Sequence, residues 1–340
     1  MIAQRPAKIG AAGSQLGALV GDLGSGMSTF SLILPDRDST SKLSFAANQI
    51  MSSTPLDLTG LRRRLDEIDD RLQDLLIQRA EIVSMVPASK KERNLPALQP
   101  AREAEIIRRL VGRHHGTFPV ANLVRMWREM LAATVAMQSP FSIAVFVPRD
   151  RQAFWDLARD HYGSNTPMTA YDAVEPLIRA IAGRESSVGV LPLPRQDDPE
   201  PWWPYLLPIG ENAPRVIARL PFGASGKVRN GVVEALAVGH GAQQESGLDR
   251  TLLAAECATA ITRAQILKLL SAAGLVCTFL ASYQSGAVCY LIEIDGFAAI
   301  SDPRIDALRI ERGGAFRRLL HLGGYAVPLL LTAPAAEKLT

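Results

Sequence analysis

Cysteine is scarce in this chain: 340 residues contain three, Cys257, Cys277 and Cys289, all in one C-terminal stretch. They are odd in number and have neither CxxC spacing nor neighbouring histidines, which argues against a disulfide framework and a thiolate zinc site. They read as reduced, mostly buried thiols of a cytoplasmic protein. Aromatics are few, at 6%, and no apolar run approaches the roughly 18 residues that a membrane span needs. Charge of one sign is also lacking. A formal net charge of +3 and a pI near 8.8 are too mild to argue for a nucleic-acid or membrane-adhering surface. His161, His240 and His321 are too scattered to suggest a metal site, and the His114–His115 pair falls in a turn.

What is present is a 47% apolar composition over a length that suggests two or three domains. The expected organisation is an N-terminal extension over 1–55, an all-helical unit over 56–139, a small α/β lobe over 140–245 and a ferredoxin-like unit over 246–335. The extension is rich in Gly, Ser and Ala and has no sustained period, so it contributes no core. It lacks the uninterrupted apolar stretch of a signal peptide. Met51, just ahead of the first strong helix, is a candidate natural start. GDLGSGMS over 21–28 fits a phosphate-binding loop except that Met27 stands where the lysine must be, so it reads as Gly-rich flexibility.

From Leu61 to Val86 apolar residues follow steps of three and four, predicting a helix on the order of 38 Å long. That is more than one small domain covers, so a partner chain is expected along its apolar stripe. Pro87 is expected to kink or end it. A second helix is predicted over about 102–113 and a third over about 120–138, where Trp127 reads as core. Arg62 and Arg79 lie roughly 100° apart around the first helix, so they face different clefts unless a partner brings them together. Arg79 and Lys90 are nearly in phase. Arg102 and Glu103 open the second helix, and Thr134 and Gln138 are i, i+4 neighbours on the third. Such a set of cations with hydrogen-bonding groups suits a small dianion.

After Pro140 the texture changes to strands alternating with helices. Strands are predicted at about 141–147, 188–193, 215–220 and 232–238, with helices at 152–162 and 174–182. A Pro- and Trp-rich connection, DDPEPWWPYLLP, separates the first two strands from the last two. Beyond it come a strand (251–256), helix (261–273), two strands (276–282, 287–294), helix (303–320) and strand (325–331). This β-α-β-β-α-β order is the ferredoxin-like split unit.

The runs LRRRLDEIDDRLQDLLIQRAEIVSMVPASK, PALQPAREAEIIRRL and MWREMLAATVAMQ resemble the helical chorismate mutases over the whole of 61–138. The resemblance implies a homodimer that converts chorismate to prephenate without a cofactor or metal. It implies that Arg62 reaches the partner's site, Arg79 holds a substrate carboxylate in its own subunit, Lys90 contacts the ether oxygen and a carboxylate, and Arg102 is the substrate-binding arginine that opens the second helix. Glu103 takes the substrate hydroxyl, while Thr134 and Gln138 complete the cavity. Gln99 stands where the family often has an aspartate, and Pro87 leaves open whether Lys90 or Lys91 enters the cleft. The chemistry is a pericyclic rearrangement, so positioning and stabilisation of growing charge on the ether oxygen suffice.

The segments FSIAVFVPRDRQAFWDLARDHYGS and VGVLPLP resemble the first lobe of prephenate dehydratases. DRTLLAAECATAITRAQILKLL, CYLIEIDGF and LGGYAVP resemble their ACT regulatory domain. The family's Thr-Arg-Phe triplet falls near Val233, Glu234 and Ala235, and the chain before it is too short for a second lobe, so dehydratase activity is not expected. The ACT-like part is read either as the site of an aromatic amino acid effector or as a scaffold retained for assembly. Two alternatives to a mutase stay open: a bifunctional mutase/dehydratase, and a non-catalytic partner of aromatic biosynthesis enzymes.

Overall fold

The computed structural model describes residues 57–92, 96–148, 152–196, 198–209, 213–223, 233–257, 261–310 and 315–331, without the side chains of 88–92, 285 and 310. The expectations for residues 1–55 lie outside the described residues. Two units are distinguished, one ending at Asp69 and one beginning at Asp70.

Helix α1, Leu58–Glu92, runs through Pro87 instead of stopping there. Proline costs the helix one backbone donor, but it lies near the helix end where few bonds follow. Lys90 therefore continues the same helix as Arg79, while its side chain and that of Lys91 lie outside the described residues. The apolar positions of α1 stay open: Leu65, Leu72, Leu75 and Ile82 are 59%, 53%, 59% and 60% exposed. Such a stripe at helical spacing is a surface that another apolar face would cover.

Helices α2, Pro100–Arg113, and α3, Val120–Ala136, form the rest of the all-α part. Pro100 at the first turn suits a position that needs no N–H. Ala104 and Ile107 of α2 meet Val124 and Leu131 of α3 around the buried ring of Phe222. Arg108 ties α2 to the later chain by donating to the carbonyls of Ser246, Leu248 and Val327 at 2.8–2.9 Å.

The described residues of the remainder build one nine-stranded sheet. Its strands are β1 Ile143–Phe146, β2 Met168–Tyr171, β3 Val188–Pro192, β4 Arg215–Leu220, β5 Ala235–Gly239, β6 Asp249–Cys257, β7 Cys277–Ser285, β8 Ala287–Asp295 and β9 Phe316–Ala326. Helices α4, Ala153–Tyr162, and α5, Val174–Ala182, connect the parallel strands β1, β2 and β3. Helices α6, Arg263–Ala272, and α7, Pro303–Ile310, belong to the last third. The spatial order is β2-β1-β3-β5-β4-β9-β6-β8-β7. Its last four strands have the neighbour order of the ferredoxin-like unit. The sheet crosses position 245 without a break, because β4 pairs with β9 at Val216 and Gly323.

That junction depends on two glycines. Gly323 has φ +90, and a Cβ there would collide with the Val216 carbonyl; a Cβ on Gly324 would collide with the Arg250 carbonyl. Only glycine lets β9 pass this close between β4 and β6. The Trp-rich connection then seals one face of the sheet. Trp202, Trp203 and Leu206 are buried in one cluster with Leu177 of α5 and with Val216, Leu252 and Leu291 from both halves of the sheet.

Two predicted elements are corrected. The helix expected over 303–320 stops at Ile310, and the strand expected from 325 begins at Phe316. Pairing with β6 from Cys257–Phe316 to Asp249–Ala326 decides this, since it supplies backbone partners and buries Leu320, Leu322 and Tyr325. The strand β2 and a short 3-10 turn, Trp203–Leu206, were not anticipated from the sequence. The three cysteines are free, with Cys257 buried and its thiol pushed up to about 11 by burial. No helix among the described residues is long and apolar enough to cross a membrane.

Candidate active site

The candidate residues fall on α1, α2 and α3. Arg62 is exposed on the first part of α1. Arg79 is partly buried: its guanidinium carbon lies 5.8 Å from the centroid of the Trp127 ring, and Nη1 is buried without a hydrogen-bond partner among the described residues. Burial lowers its pKa from the usual guanidinium range. A buried donor without an acceptor is costly, and a carboxylate is the group that would satisfy it best. Trp127 thus serves as a platform for Arg79 rather than as deep core.

The start of α2 is arranged differently from the α1 cations. Gln99 is its N-cap residue but makes no side-chain cap bond. Arg102 is largely exposed and donates to Glu105 one turn on, at 2.7 Å. Glu103 turns inward, where its Oε2 accepts from Arg128 Nη1 at 3.0 Å. Their side chains are 12% and 5% exposed. Burial lowers the Arg128 pKa and the Glu103 carboxylate opposes this.

At the C-terminal end of α3 the two polar residues bond locally. Thr134 Oγ1 donates to the Leu131 carbonyl at 2.7 Å, and Gln138 Nε2 donates to the Thr134 carbonyl at 2.8 Å. Thr134 and Gln138 are therefore brought together. Arg102 and Glu103 keep separate surroundings, and the side chain of Lys90 is not described. Two cavities lie elsewhere, lined by none of the candidate residues.

Arg128 is the residue that sequence reasoning missed. Its signal was a phase conflict: it falls on the stripe of Val124, Leu131 and Val135, where a charge must find a partner. Besides Glu103 it has the Phe222 ring, whose centroid is 5.1 Å from the guanidinium carbon. His161, also buried, is held well below its usual pKa first by burial and then by Arg128. At the later triplet position, Glu234 accepts from Arg219 at 2.8 Å, and Ala235 is buried at the start of β5.

Residues 61–139 match the family described as chorismate mutase type II. The matched span coincides with the three-helix part. Two curated relatives are described as bifunctional chorismate mutase/prephenate dehydratase. The protein from Aquifex aeolicus is 25% identical over 141 residues, covering 40% of this chain and 39% of its own. The one from Pseudomonas aeruginosa is 27% identical over 143 residues, covering 40% and 38%. The chain thus spans about two fifths of the length of these relatives. A prephenate dehydratase structure from Streptococcus mutans is 14% identical with a TM-score of 0.41, covering 56% of this chain and all of the other.

Proposed function

We propose that the chorismate mutase type II domain at residues 61–139 converts chorismate to prephenate as a homodimer, without cofactor, in a reducing cytoplasm that suits three free cysteines. The observation that carries the site is Arg79, a partly buried guanidinium on Trp127 with an unmatched donor. In this reading Arg79 takes one substrate carboxylate and Arg102 the other. Lys90 and Gln138 face the ether oxygen, where negative charge grows as the carbon–oxygen bond breaks. Arg62 is delivered to the site of the second copy, and Glu103, Thr134 and Gln99 complete the lining.

The exposed stripe of α1 supports the dimer, because a helix about 50 Å long with open leucines needs a second chain to cover it. The rest of the chain serves as scaffold or as the site of an aromatic amino acid effector. The test is chorismate consumption by the full-length protein, with Arg79→Ala as the control. Loss of activity in the variant supports the assignment, and equal turnover by both defeats it.

A second reading, a non-catalytic partner of aromatic biosynthesis enzymes, is favoured by the way Glu103, Thr134 and Gln138 are engaged inside the chain. Absence of chorismate turnover by the folded dimer would select it. The bifunctional reading rests on the relatives' descriptions. Phenylpyruvate formed from prephenate would select that one.

A further inference from the structure

A cavity of about 270 Å³ opens where the first turn of α2, the Ser139–Phe141 connection, the end of α5 and the residues after β5 meet β9. Leu98, Phe141 and Ile217 give it an apolar wall. No Asp or Glu is among its described lining residues, and Arg184 is the one Lys or Arg. Its charge is therefore suited to an anion.

Arg184 stands at the rim with an unusual backbone. Its φ of 61 makes it the one non-glycine among the described residues in the left-handed region. This is the position past a helix end where glycine is preferred, yet Gly183, one residue earlier, has φ −77. Strain retained in this way is a pointer to function. The Arg184 guanidinium has no hydrogen-bond or ion-pair partner among the described residues, and neither has the hydroxyl of Ser186, a residue 6% exposed, nor the amide of Gln244. His240 Nε2–H donates to the Ile181 carbonyl at 2.8 Å, which leaves Nδ1 for another partner. The first turn of α2 carries no side-chain cap and adds a positive dipole end to the same space.

We propose that this cavity binds a small carboxylate with an apolar or aromatic body, its carboxylate on Arg184 and Ser186 and its body against Phe141 and Ile217. A guanidinium fork with a hydroxyl matches a carboxylate, and the apolar wall discriminates against small inorganic anions. Binding at this cavity does not depend on the mutase reading.

The test uses the full-length protein titrated with 3-phenylpropanoate, and with 3-phenylpropanamide and inorganic phosphate for comparison. Saturable binding of the acid is expected, with the neutral amide and phosphate weaker by about tenfold or more. Arg184→Gly should weaken the acid by a similar factor while raising or preserving the thermal midpoint, since glycine relaxes the backbone there. That combination separates a lost contact from a lost fold. Ser186→Ala should weaken binding to a lesser extent. The proposal is overturned if the acid does not saturate at millimolar concentration, if acid and amide bind alike, or if Arg184→Gly binds as the parent does.

Discussion

Arg128 Nη1 and Glu103 Oε2 form a 3.0 Å ion pair between α3 and α2, with 5% and 12% of the side chains exposed. Two charges withdrawn from water this far are held by each other, so removing one strands the other. The same carboxylate is the one proposed to take the substrate hydroxyl, and under that proposal Arg128 is the group that aims it. Arg128→Met should cost about 3–5 kcal/mol of stability, and Glu103→Gln with Arg128→Met together should recover much of that loss. Chemical denaturation of the three variants measures the coupling; additive single effects would show that the pair is not a unit.

The open stripe of α1 makes a prediction about assembly. Leu72→Asp with Leu76→Asp alters residues that are 53% and 48% exposed in the single chain, so the fold of one copy should survive. If a second copy covers this face, the charges will be desolvated at its centre and the dimer will dissociate. Light scattering on the variant should report half the parent mass, with helical content kept by circular dichroism. An unchanged mass would place any interface elsewhere.

Chorismate turnover tests the ether-oxygen pair. Lys90→Ala and Gln138→Leu should each lower kcat by about 10² to 10³, the usual cost of one preorganised donor. Each should do so with little change in thermal midpoint, because the reading gives these groups to the substrate. For Gln138 the structure adds a condition. Its amide donates to the Thr134 carbonyl at 2.8 Å, so substrate must compete with a local bond. Wild-type turnover in either folded variant ends this assignment.

The glycine pair of β9 bears on folding. Gly323→Ala and Gly324→Ala should fail to give soluble protein, or should lower the midpoint steeply, since each Cβ would meet a neighbouring strand's carbonyl. Gly247→Ala is the matched control, with φ +89 but nothing within 4 Å, so it carries backbone strain alone, about 1 kcal/mol. A loss in Gly323→Ala no greater than that in Gly247→Ala would mean that strain, and not the close approach of β4, makes glycine necessary there.

The three helices were legible because each buries or presents one stripe at a helical period, and Pro100 and the His114–Pro119 turn mark their limits. Strands β1, β3, β4, β6 and β8 were legible as short apolar runs. Misreading 303–320 had a definite cause: Ile305 and Leu308, then Phe316, Leu319 and Leu320, are spaced at helical steps, and only pairing with β6 turns the second run into a strand. The Gly313–Gly314 pair was the available breaker signal. Arg128 stayed hidden for a related reason. Its role depends on Phe222, nearly a hundred positions later in the sequence, and no local pattern announces that contact.

His321 sets the pH dependence expected of the fold. It is 3% exposed in β9, its Nε2–H donates to the Ala298 carbonyl at 2.8 Å, and its Nδ1 accepts from the Gly323 N–H at 3.1 Å. Both ring nitrogens are thus satisfied in the neutral form, and a proton added at Nδ1 would point at an N–H. Burial lowers its pKa, with Arg215 and Arg309 adding to that effect against the raising pull of the Ala298 carbonyl. His161 is lowered as well, by burial and then Arg128. The unfolded chain therefore binds more protons than the folded one below the ordinary histidine pKa of about 6.5. Stability from these groups is complete above that pH and falls as the medium is acidified toward their folded values, by at most about 1.4 kcal/mol per pH unit for each. His321→Gln should flatten the slope of stability against pH between neutrality and mild acid, whatever it costs in absolute stability. Urea denaturation at a series of pH values measures this, and a slope equal to the parent's would show that His321 titrates alike in the folded and unfolded chain.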